Sequence, residues 1–297
     1  MRTQYTFVDP TTLYADISTR PDDQTEPGLD AELRDRADLG EETYVGTGRL
    51  KGRKALVTGG DSGIGAATVI AFAREGADVA LAYLPPEQVD AERVAAIARE
   101  AGVVVALLPG DLSVHAEAVA LVDDAVAQLG GLDILVNNAG KQIYNEDLTT
   151  LPDEQFDDTF KVNVYAMFWI TKAALGHLPP GSTIINTTSV QAYSPSDILV
   201  DYASTKATIN AFTKALAQQV GPKGIRVNAV APGPVWTPLQ VTDGQPSDAI
   251  GEFGQSTPLG RAGQPAELAP AYVFLASAES SYVSGETLNV NGGMPTP

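Results

Sequence analysis

The sequence of 297 residues contains no cysteine and only two histidines, His115 and His177. The absence of cysteine excludes disulfides, thiol nucleophiles and thiolate metal sites. Because the two histidines lie far apart in the chain, we interpret each as a residue on the surface of a helix rather than as a ligand. We therefore expect no metal site.

Long apolar runs and an excess of positive charge are also absent. No window approaches the roughly 18 uninterrupted apolar residues of a membrane span, and the start MRTQYTFVDP lacks the basic and apolar regions of a secretory signal. The formal net charge of −18 repels phosphate backbones. We expect a cytoplasmic protein with a solvated acidic surface that binds neither nucleic acid nor membrane.

Residues 1–50 differ from the rest of the chain because turn-forming residues are frequent there and no periodicity is sustained. They include eleven acidic and five basic residues. We predict an N-terminal arm over 1–50 with one short helix near 31–38, followed by a single domain over 51–297. The apolar residues available to anchor the arm, to its own domain or to a neighbouring subunit, are Tyr5, Phe7, Leu13, Tyr14, Tyr44 and Val45.

Seven short apolar runs alternate with longer amphipathic stretches from Arg53 onward. The runs are KALVTG, ADVALAY, GVVVALLPG, LDILVNN, STIINTTS, GIRVNAVAPG and ETLNVNGG. Continuous apolar runs indicate strands that are covered on both faces. Helices between such strands make right-handed parallel crossovers. The pattern predicts an α/β fold, a Rossmann-like doubly wound parallel sheet with helices on both faces.

A glycine-rich turn, TGGDSGIG, follows the first predicted strand. Such a turn lets backbone N–H groups approach a pyrophosphate, and the N-terminus of the following helix adds partial positive charge. Gly59, Gly63 and Gly65 have the spacing G-x-x-x-G-x-G instead of the usual G-x-G-x-x-G. Its place at the first crossover favours a dinucleotide site over an ordinary strand-to-helix turn.

Tyr202 and Lys206 lie four residues apart in the stretch DYASTKATINAF. On a helix this spacing places both side chains on one face. By itself the pair is as consistent with packing on a helix surface as with a phenol held beside a positive charge. The surrounding motifs have to decide between these two interpretations.

Together these motifs resemble the short-chain dehydrogenase/reductase family, in its compact single-domain branch. The further matching motifs are Asp111 in PGDLS, Asn137-Asn138-Ala139-Gly140, Asn163 in KVNVYAMF, Ser189, and PGPVWT over Pro232–Thr237. They follow the family's order over residues 53–293. The arm and the stretch QPAELAPAYVFLAS are similar to a bacterial subgroup with an extended N-terminal arm. The resemblance implies about seven strands in the order 3-2-1-4-5-6-7 and a homotetramer.

The resemblance also implies a catalytic set of Asn163, Ser189, Tyr202 and Lys206. A free tyrosine, with a pKa near 10, is a poor base at neutral pH. We expect Lys206 and the charge of an oxidised nicotinamide to lower the pKa of Tyr202, the general acid/base. Ser189 would donate a hydrogen bond to the substrate oxygen, and Asn163 would hold a water that links Lys206 to solvent. The alternatives are a strand-end turn for Ser189 and a helix kink for Asn163.

The cofactor site is expected to use the ends of several strands. The expected contacts are Gly59, Asp61, Ser62, Gly63, Ile64, Gly65, Tyr83, Leu84, Asp111, Leu112, Asn138, Ala139, Gly140, Thr187, Tyr202, Lys206, Pro232, Gly233, Val235 and Thr237. Asn137 is expected to tie neighbouring strands instead. The second strand ends without the acidic or basic residue that chooses between NAD and NADP. A carboxylate at Asp61 disfavours an additional phosphate, which slightly favours NAD.

The substrate site is expected to take a small polar alcohol, aldehyde, ketone or polyol. The expected substrate contacts are Ser189, Gln191, Tyr193, Tyr202 and Trp236, with Gln142 as further lining and with plain packing as an equal interpretation of Trp236. Residues 240–263 are polar and rich in glycine, as in the family's mobile lid. We expect an NAD- or NADP-dependent oxidoreductase acting on CH–OH groups, whose arm crosses onto a neighbouring subunit. The alternatives are an epimerase or dehydratase with tightly held NAD and a catalytically silent nucleotide-sensing or interaction protein.

Overall fold

The seven apolar runs form the seven strands of one parallel sheet in the computed structural model, which describes residues 2–22 and 24–296. The strands are β1 (Lys54–Thr58), β2 (Asp78–Tyr83), β3 (Val105–Pro109), β4 (Ile134–Asn137), β5 (Thr183–Thr187), β6 (Arg226–Pro232) and β7 (Thr287–Val290). They pair in the order β3-β2-β1-β4-β5-β6-β7. The predicted fold class and strand order are therefore confirmed.

Eight α-helices, counted over the described residues, accompany the sheet. They are α1 (Gly63–Arg74), α2 (Gln88–Arg99), α3 (His115–Leu129), α4 (Asp153–Phe160), α5 (Ala166–Ala174), α6 (Val200–Val220), α7 (Pro238–Val241) and α8 (Pro265–Ala276). Two apolar cores result, one on each face of the sheet. Helices α1, α2 and α8 contribute to one core, and α3, α5 and α6 contribute to the other. None of the described helices is long and apolar enough to cross a membrane.

Strand β1 explains why the apolar runs are continuous. Successive side chains of a strand point to opposite faces of the sheet. Ala55 and Val57 lie in the core beside α1, whereas Leu56 lies in the opposite core. All three side chains are fully buried. A strand covered on both faces has no solvent-facing positions for polar residues.

The amphipathic stretch over residues 154–178 does not form one continuous α-helix. Between α4 and α5 a π-helical stretch runs over Lys161–Tyr165 and contains Asn163. The side chain of Asn163 accepts a hydrogen bond from the backbone N–H of Lys141 and donates one to its carbonyl oxygen. A π-bulge of this kind often marks a functional position within a helix.

The N-terminal arm packs against its own domain. Its buried apolar side chains are Leu33, Ala37, Leu39, Tyr44 and Leu50, in the core beside α1 and α8. Of the anchors predicted from the sequence only Tyr44 is buried, whereas Tyr5, Phe7 and Val45 are exposed. The helix predicted near 31–38 is wrong, because this part of the arm contains only a 3-10 turn over Asp30–Glu32. The terminal residues Met1 and Pro297, which the predicted boundaries include, and Asp23 lie outside the described residues.

Polar contacts to Glu75, directly after α1, fix the last part of the arm. The fully buried Glu75 carboxylate accepts hydrogen bonds from the Tyr44 hydroxyl at 2.8 Å, the Thr47 backbone N–H at 2.8 Å and the Arg49 guanidinium at 2.7 Å. Burial alone would raise the pKa of Glu75, but these hydrogen bonds outweigh it and lower the pKa to about 2. The ionised carboxylate therefore holds the arm on the domain.

Candidate active site

A cavity of about 550 Å³ opens at the carboxyl edge of the sheet. In open α/β sheets this edge is the usual place for ligand binding. Many residues predicted from the sequence line it: Gly59, Asp61, Ser62, Gly63, Ile64, Tyr83, Leu84, Asp111, Leu112, Asn138, Ala139, Gly140, Gln142, Thr187, Ser189, Gln191, Tyr202, Lys206, Pro232, Gly233, Val235 and Thr237. The cavity therefore brings together residues from the ends of most of the strands.

The glycine turn at the end of β1 leaves no room for side chains at two positions. Gly63 has a φ of 49°, and a Cβ there would lie 2.9 Å from Cγ2 of Thr237. A Cβ on Gly65 would lie 1.7 Å from the carbonyl oxygen of Gly59. Gly65 does not line the cavity, so its role is to let α1 approach the turn. The backbone of this turn is exposed to a ligand at the start of α1.

Two asparagines at the end of β4 hold the strands in place around the turn. The Asn137 amide donates to Thr171 at 3.0 Å and to Asn186 at 2.9 Å, which makes it a structural tie as predicted. The Asn138 amide donates to the carbonyl oxygen of Gly59 at 3.1 Å. Asn138 therefore supports the glycine turn from behind while it also lines the cavity.

Tyr202 and Lys206 both lie on the wall of the cavity, in the first two turns of α6. Their side chains are buried, with 7% and 3% of the surface exposed. The Lys206 ammonium nitrogen lies 5.2 Å from the centre of the Tyr202 ring and donates to the carbonyl oxygen of Thr187 at 3.0 Å. The helical spacing thus places the phenol and the ammonium beside each other and inside the cleft.

Burial controls the pKa values of this pair. It raises the pKa of Tyr202 to about 12, against the opposing effect of a hydrogen bond with Ser189. It lowers the pKa of Lys206 to about 8. For the protein alone, burial acts against the expected lowering of the pKa of Tyr202, and the lowering expected from Lys206 together with an oxidised nicotinamide stays a prediction. Burial thus favours the protonated hydroxyl of Tyr202 and makes Lys206 easier to deprotonate than an exposed lysine.

Ser189 has two roles at the end of β5. Its hydroxyl accepts a hydrogen bond from the backbone N–H of Gln191 at 3.1 Å and so caps the 3-10 turn over Val190–Ala192. The same side chain lines the cavity together with Tyr202. The turn-forming interpretation and the catalytic interpretation of Ser189 are therefore compatible.

Asn163 lies behind the wall of the cavity rather than on it. Its amide oxygen accepts from the Lys141 backbone at 2.7 Å, and its amide nitrogen donates to Thr205 at 3.0 Å. A Cβ added to Gly140 would lie 3.4 Å from Oδ1 of Asn163 and 3.6 Å from Nζ of Lys206. Asn163 and Lys206 therefore border the same position beside Gly140.

The other end of the cavity is acidic. Asp61 is buried and lines the cavity, and its oxygen Oδ2 has no hydrogen-bond partner among the described residues. Burial and the nearby Glu87 raise the pKa of Asp61 well above its ordinary value. Burial also raises the pKa of Glu87 to about 7. Over the described part of the chain, the cations on the wall are Lys141 and Lys206, which both lie near the catalytic set.

Glu87 and the arm were missed as parts of the site. Glu87 accepts a hydrogen bond from the backbone N–H of Leu84, three residues before it, at the start of a helical turn. The glutamate is half of a capping box, but Leu84 stands where the pattern has a serine or threonine, so the sequence signal is incomplete. The arm reaches the cavity through Glu26, Pro27 and Gly28, for which no local pattern gives a signal.

Two predicted substrate residues lie outside the cavity. The Trp236 indole is 1% exposed and donates to the carbonyl oxygen of Asp35 in the arm at 2.7 Å. Trp236 therefore packs the arm against the domain instead of forming a pocket wall. Tyr193 is also absent from the wall, which Gln191 reaches from the same turn. Both assignments as substrate contacts are corrected by the structure.

Comparison with known proteins adds three findings. A family model described as enoyl-(acyl carrier protein) reductase matches residues 59–295. The uncharacterized oxidoreductase YghA of Escherichia coli is 56% identical, over 96% of this chain and 97% of its own length. A glucose and ribitol dehydrogenase homolog of Oryza sativa is 40% identical, over 91% of this chain and 95% of its own. Since the alignment with YghA covers 96% of this chain, it includes most of the arm.

Solved structures share the domain as well. The crystal structure of a short-chain dehydrogenase from Burkholderia cenocepacia in complex with NADP superposes with a TM-score of 0.77. It is 35% identical and covers 82% of this chain and 98% of its own. The bound NADP in that relative gives no support to the preference for NAD suggested by the sequence.

Proposed function

Since this chain belongs to the short-chain dehydrogenase/reductase family and is an oxidoreductase, we propose that it transfers a hydride between NAD(P) and a small alcohol or carbonyl substrate. The observation that carries the proposal is the position of Tyr202, Lys206 and Ser189 on the wall that also contains the glycine turn. A protein that only binds nucleotides has no need of a proton donor at this place.

The residues present fit a dinucleotide. Gly63 and Gly65 keep the turn at the start of α1 free of side chains, so its N–H groups are available to a pyrophosphate. Asp61 offers a carboxylate oxygen without a partner among the described residues, which suits a ribose hydroxyl. When bound, the nicotinamide supplies or accepts the hydride.

Tyr202 supplies the proton that has to accompany the hydride. In the reductive direction its protonated hydroxyl, favoured by burial, donates to the carbonyl oxygen of the substrate. Ser189 donates a second hydrogen bond to that oxygen, on which negative charge develops. The Lys206 ammonium stabilises the tyrosinate that remains, and we assign to Asn163 the water through which the proton is replaced.

The oxidative direction needs the ionised form of Tyr202. A pKa of about 12 for the protein alone makes this form scarce at neutral pH, so oxidation would depend on positive charge beside the phenol, such as the Lys206 ammonium, to favour the phenolate. The protonated hydroxyl that burial favours is suited to donating the proton in carbonyl reduction. The name of the Oryza sativa relative, a glucose and ribitol dehydrogenase homolog, supports aldoses and polyols as substrates of this chain.

A substrate screen tests the proposed function. The full chain is mixed with NADH or NADPH and with glyceraldehyde, propanal, glucose or, with the oxidised cofactors, ribitol. We expect carbonyl-dependent loss of nicotinamide absorbance with at least one aldehyde. Binding of dinucleotide without turnover of any compound in a wide carbonyl and alcohol panel would favour the alternative, a catalytically silent nucleotide-sensing protein.

We propose a preference for NAD over NADP on the basis of charge. A 2′-phosphate would meet the acidic side chains of Asp61 and Glu87, whose ionisation it would oppose, and no lysine or arginine on that part of the described wall. We expect KM for NADPH to exceed KM for NADH at least about 10-fold, or about 1.4 kcal/mol.

The matched variant for this preference is Asp61→Asn, which keeps the size of the side chain. We expect it to reduce the ratio of the two KM values several-fold, chiefly by lowering KM for NADPH. Because Glu87 has a pKa of about 7, the wild-type ratio should also decrease as the pH falls from 8 to 6. Equal KM values for the two cofactors at pH 8 would overturn the preference.

Assembly and location complete the proposal. We propose a cytoplasmic homotetramer, in agreement with the family resemblance. Because residues 33–50 of the arm are occupied by contacts with their own domain, any contact with a neighbouring subunit is assigned to its first residues, where Tyr5 and Phe7 are exposed. The molecular mass of the full chain in solution tests the homotetramer. Comparison with a chain that starts after Phe7 tests the contact that is assigned to the first residues.

A further inference from the structure

A short part of the arm, which we define as the strap Glu26–Asp30, contributes Glu26, Pro27 and Gly28 to the wall of the cavity. At one end of the strap, the backbone N–H groups of Asp30 and Ala31 donate to the carboxylate of Asp90 in α2, at 2.5 and 3.0 Å. Arg93 in the same helix forms an ion pair with Asp30. This end of the strap is therefore fixed beside the acidic part of the cavity.

The other end of the strap is fixed beside the catalytic set. The carboxylate of Glu26 forms an ion pair with the Lys141 ammonium at 2.8 Å. The backbone of Lys141 is held by both ends of the Asn163 amide. Lys141 directly follows Gly140, which lies close to Lys206 and Asn163. Glu26 is therefore held near the proton-transfer residues by a partner whose backbone is clamped.

The middle of the strap touches the segment that the sequence assigns to the lid. A Cβ on Gly28 would lie 2.6 Å from Cγ2 of Thr242 and 3.0 Å from Cβ of Pro238. Only glycine allows this approach, so the strap and α7 form one continuous part of the wall. The family match begins at residue 59, which means that the strap is an addition to the shared domain.

Hydrogen-bond acceptors lie on both sides of this contact. Gln240 in α7 lines the cavity and is 8% exposed, and its oxygen Oε1 has no partner among the described residues. Glu26 also lines the cavity, and its side chain is 42% exposed. A carboxylate has about four lone-pair positions, so the ion pair with Lys141 leaves acceptor capacity on Glu26. The wall is thus suited to a ligand that carries several hydroxyl donors.

We propose that Glu26 is a specificity-determining residue that, with Gln240, accepts hydrogen bonds from substrate hydroxyls beyond the reacting carbon. The strap thereby selects polyhydroxylated carbonyl compounds over aliphatic ones of the same length. A substrate without hydroxyls leaves the buried oxygen Oε1 of Gln240 unpaired, and sites with such an acceptor discriminate against analogues that cannot donate to it. The carboxylate of Glu26 also disfavours substrates with an anionic group. The inference rests on the proposed function and assigns a determinant of its specificity.

The test compares glyceraldehyde with propanal, two aldehydes of equal chain length that differ in their hydroxyl groups. The variant is Glu26→Ala, and the control is Glu42→Ala, an exposed residue of the same arm that does not line the cavity. We expect Glu26→Ala to lower kcat/KM for glyceraldehyde at least about 10-fold, mainly through KM, and to change kcat/KM for propanal less than about two-fold. Glu42→Ala should leave both values unchanged.

Three outcomes separate the inference from the function on which it rests. If Glu26→Ala changed kcat/KM by the same factor for both aldehydes, the specificity role would be overturned, since a merely structural effect of the strap would act on both. The ratio of kcat/KM for glyceraldehyde to kcat/KM for propanal is the second criterion. If the wild type is active and this ratio is unchanged in both Glu26→Ala and Gln240→Leu, the specificity role is overturned and the proposed function stays intact. Wild-type chain that reduces neither these aldehydes nor any other carbonyl would overturn the proposed function and the inference with it.

Discussion

Replacing Tyr202 by phenylalanine should lower kcat for carbonyl reduction at least about 100-fold, since positioned proton transfer contributes roughly 10²–10⁴-fold. The substitution keeps the ring of Tyr202, which is 7% exposed, and removes only the hydroxyl that is proposed to donate the proton. The glycine turn that is proposed to bind the pyrophosphate remains intact. We therefore expect the dissociation constant of the dinucleotide to change less than about three-fold, as measured by quenching of protein fluorescence.

Tyr193 provides the matched control for this variant. It lies nine residues before Tyr202 in the sequence and outside the cavity wall. Tyr193→Phe should retain the wild-type kcat. Comparable losses in both variants would show that the ring environment, and not the Tyr202 hydroxyl, controls turnover. Wild-type turnover in Tyr202→Phe would remove Tyr202 from the mechanism.

Replacing Glu75 by alanine should destabilise the folded chain by about 3–5 kcal/mol, the range for removing one partner of a buried ion pair. Glu75 is fully buried, and its loss leaves the Tyr44 hydroxyl and the Arg49 guanidinium without their acceptor. Thermal unfolding followed by circular dichroism should show a decrease in Tm of about 10 °C. Protease cleavage within the arm should become faster, because the arm loses its main polar anchor.

Glu279 is the matched control, because it is the other carboxylate near Arg49. Its oxygen lies 3.5 Å from the guanidinium and its side chain is 56% exposed, so Glu279→Ala should change stability by less than about 1 kcal/mol. The lowered pKa of Glu75 also fixes the pH dependence. Its contribution is present above the unfolded pKa near 4.5 and is lost as the pH falls towards 2. Equal stability of Glu75→Ala and wild type at pH 7 would contradict this account of the arm.

The sheet could be predicted because its determinants are local. The Ala55-Leu56-Val57 run is apolar at every position since each side of the strand faces a core. The four-residue spacing of Tyr202 and Lys206 likewise fixes their common helix face before any tertiary contact is known. Motifs that follow strand ends converge automatically, because parallel strands share one carboxyl edge.

The contributions of the arm could not be predicted because they depend on contacts between distant residues. Glu26 and Lys141 are 115 residues apart, and the Trp236 indole and its acceptor in Asp35 are 201 residues apart. No periodicity within the arm indicates either contact. The sequence does not decide between a substrate contact and plain packing for Trp236, because its motif gives its position in the chain but not its partner.

The pKa of Tyr202 illustrates a second limit of sequence reasoning. The sequence identifies the neighbouring ammonium, whose charge favours the phenolate, but it does not give the degree of burial. In the folded chain, burial dominates and raises the pKa of Tyr202 to about 12. The sequence predicts Tyr202 as a general acid/base, and burial favours the acid form in the protein alone.

The central claim is direct hydride transfer from the nicotinamide to a carbonyl carbon, with the proton supplied by Tyr202. The most direct measurement gives the full chain glyceraldehyde and NADH deuterated at both positions of the nicotinamide C4, and analyses the alcohol by mass spectrometry over time. With the wild type, we expect the alcohol to gain one deuterium atom at the carbon of the former aldehyde group. With Tyr202→Phe, we expect the alcohol to form at least about 100-fold more slowly. Alcohol that lacks the label, or labelled alcohol formed equally fast by both proteins, would contradict the claim.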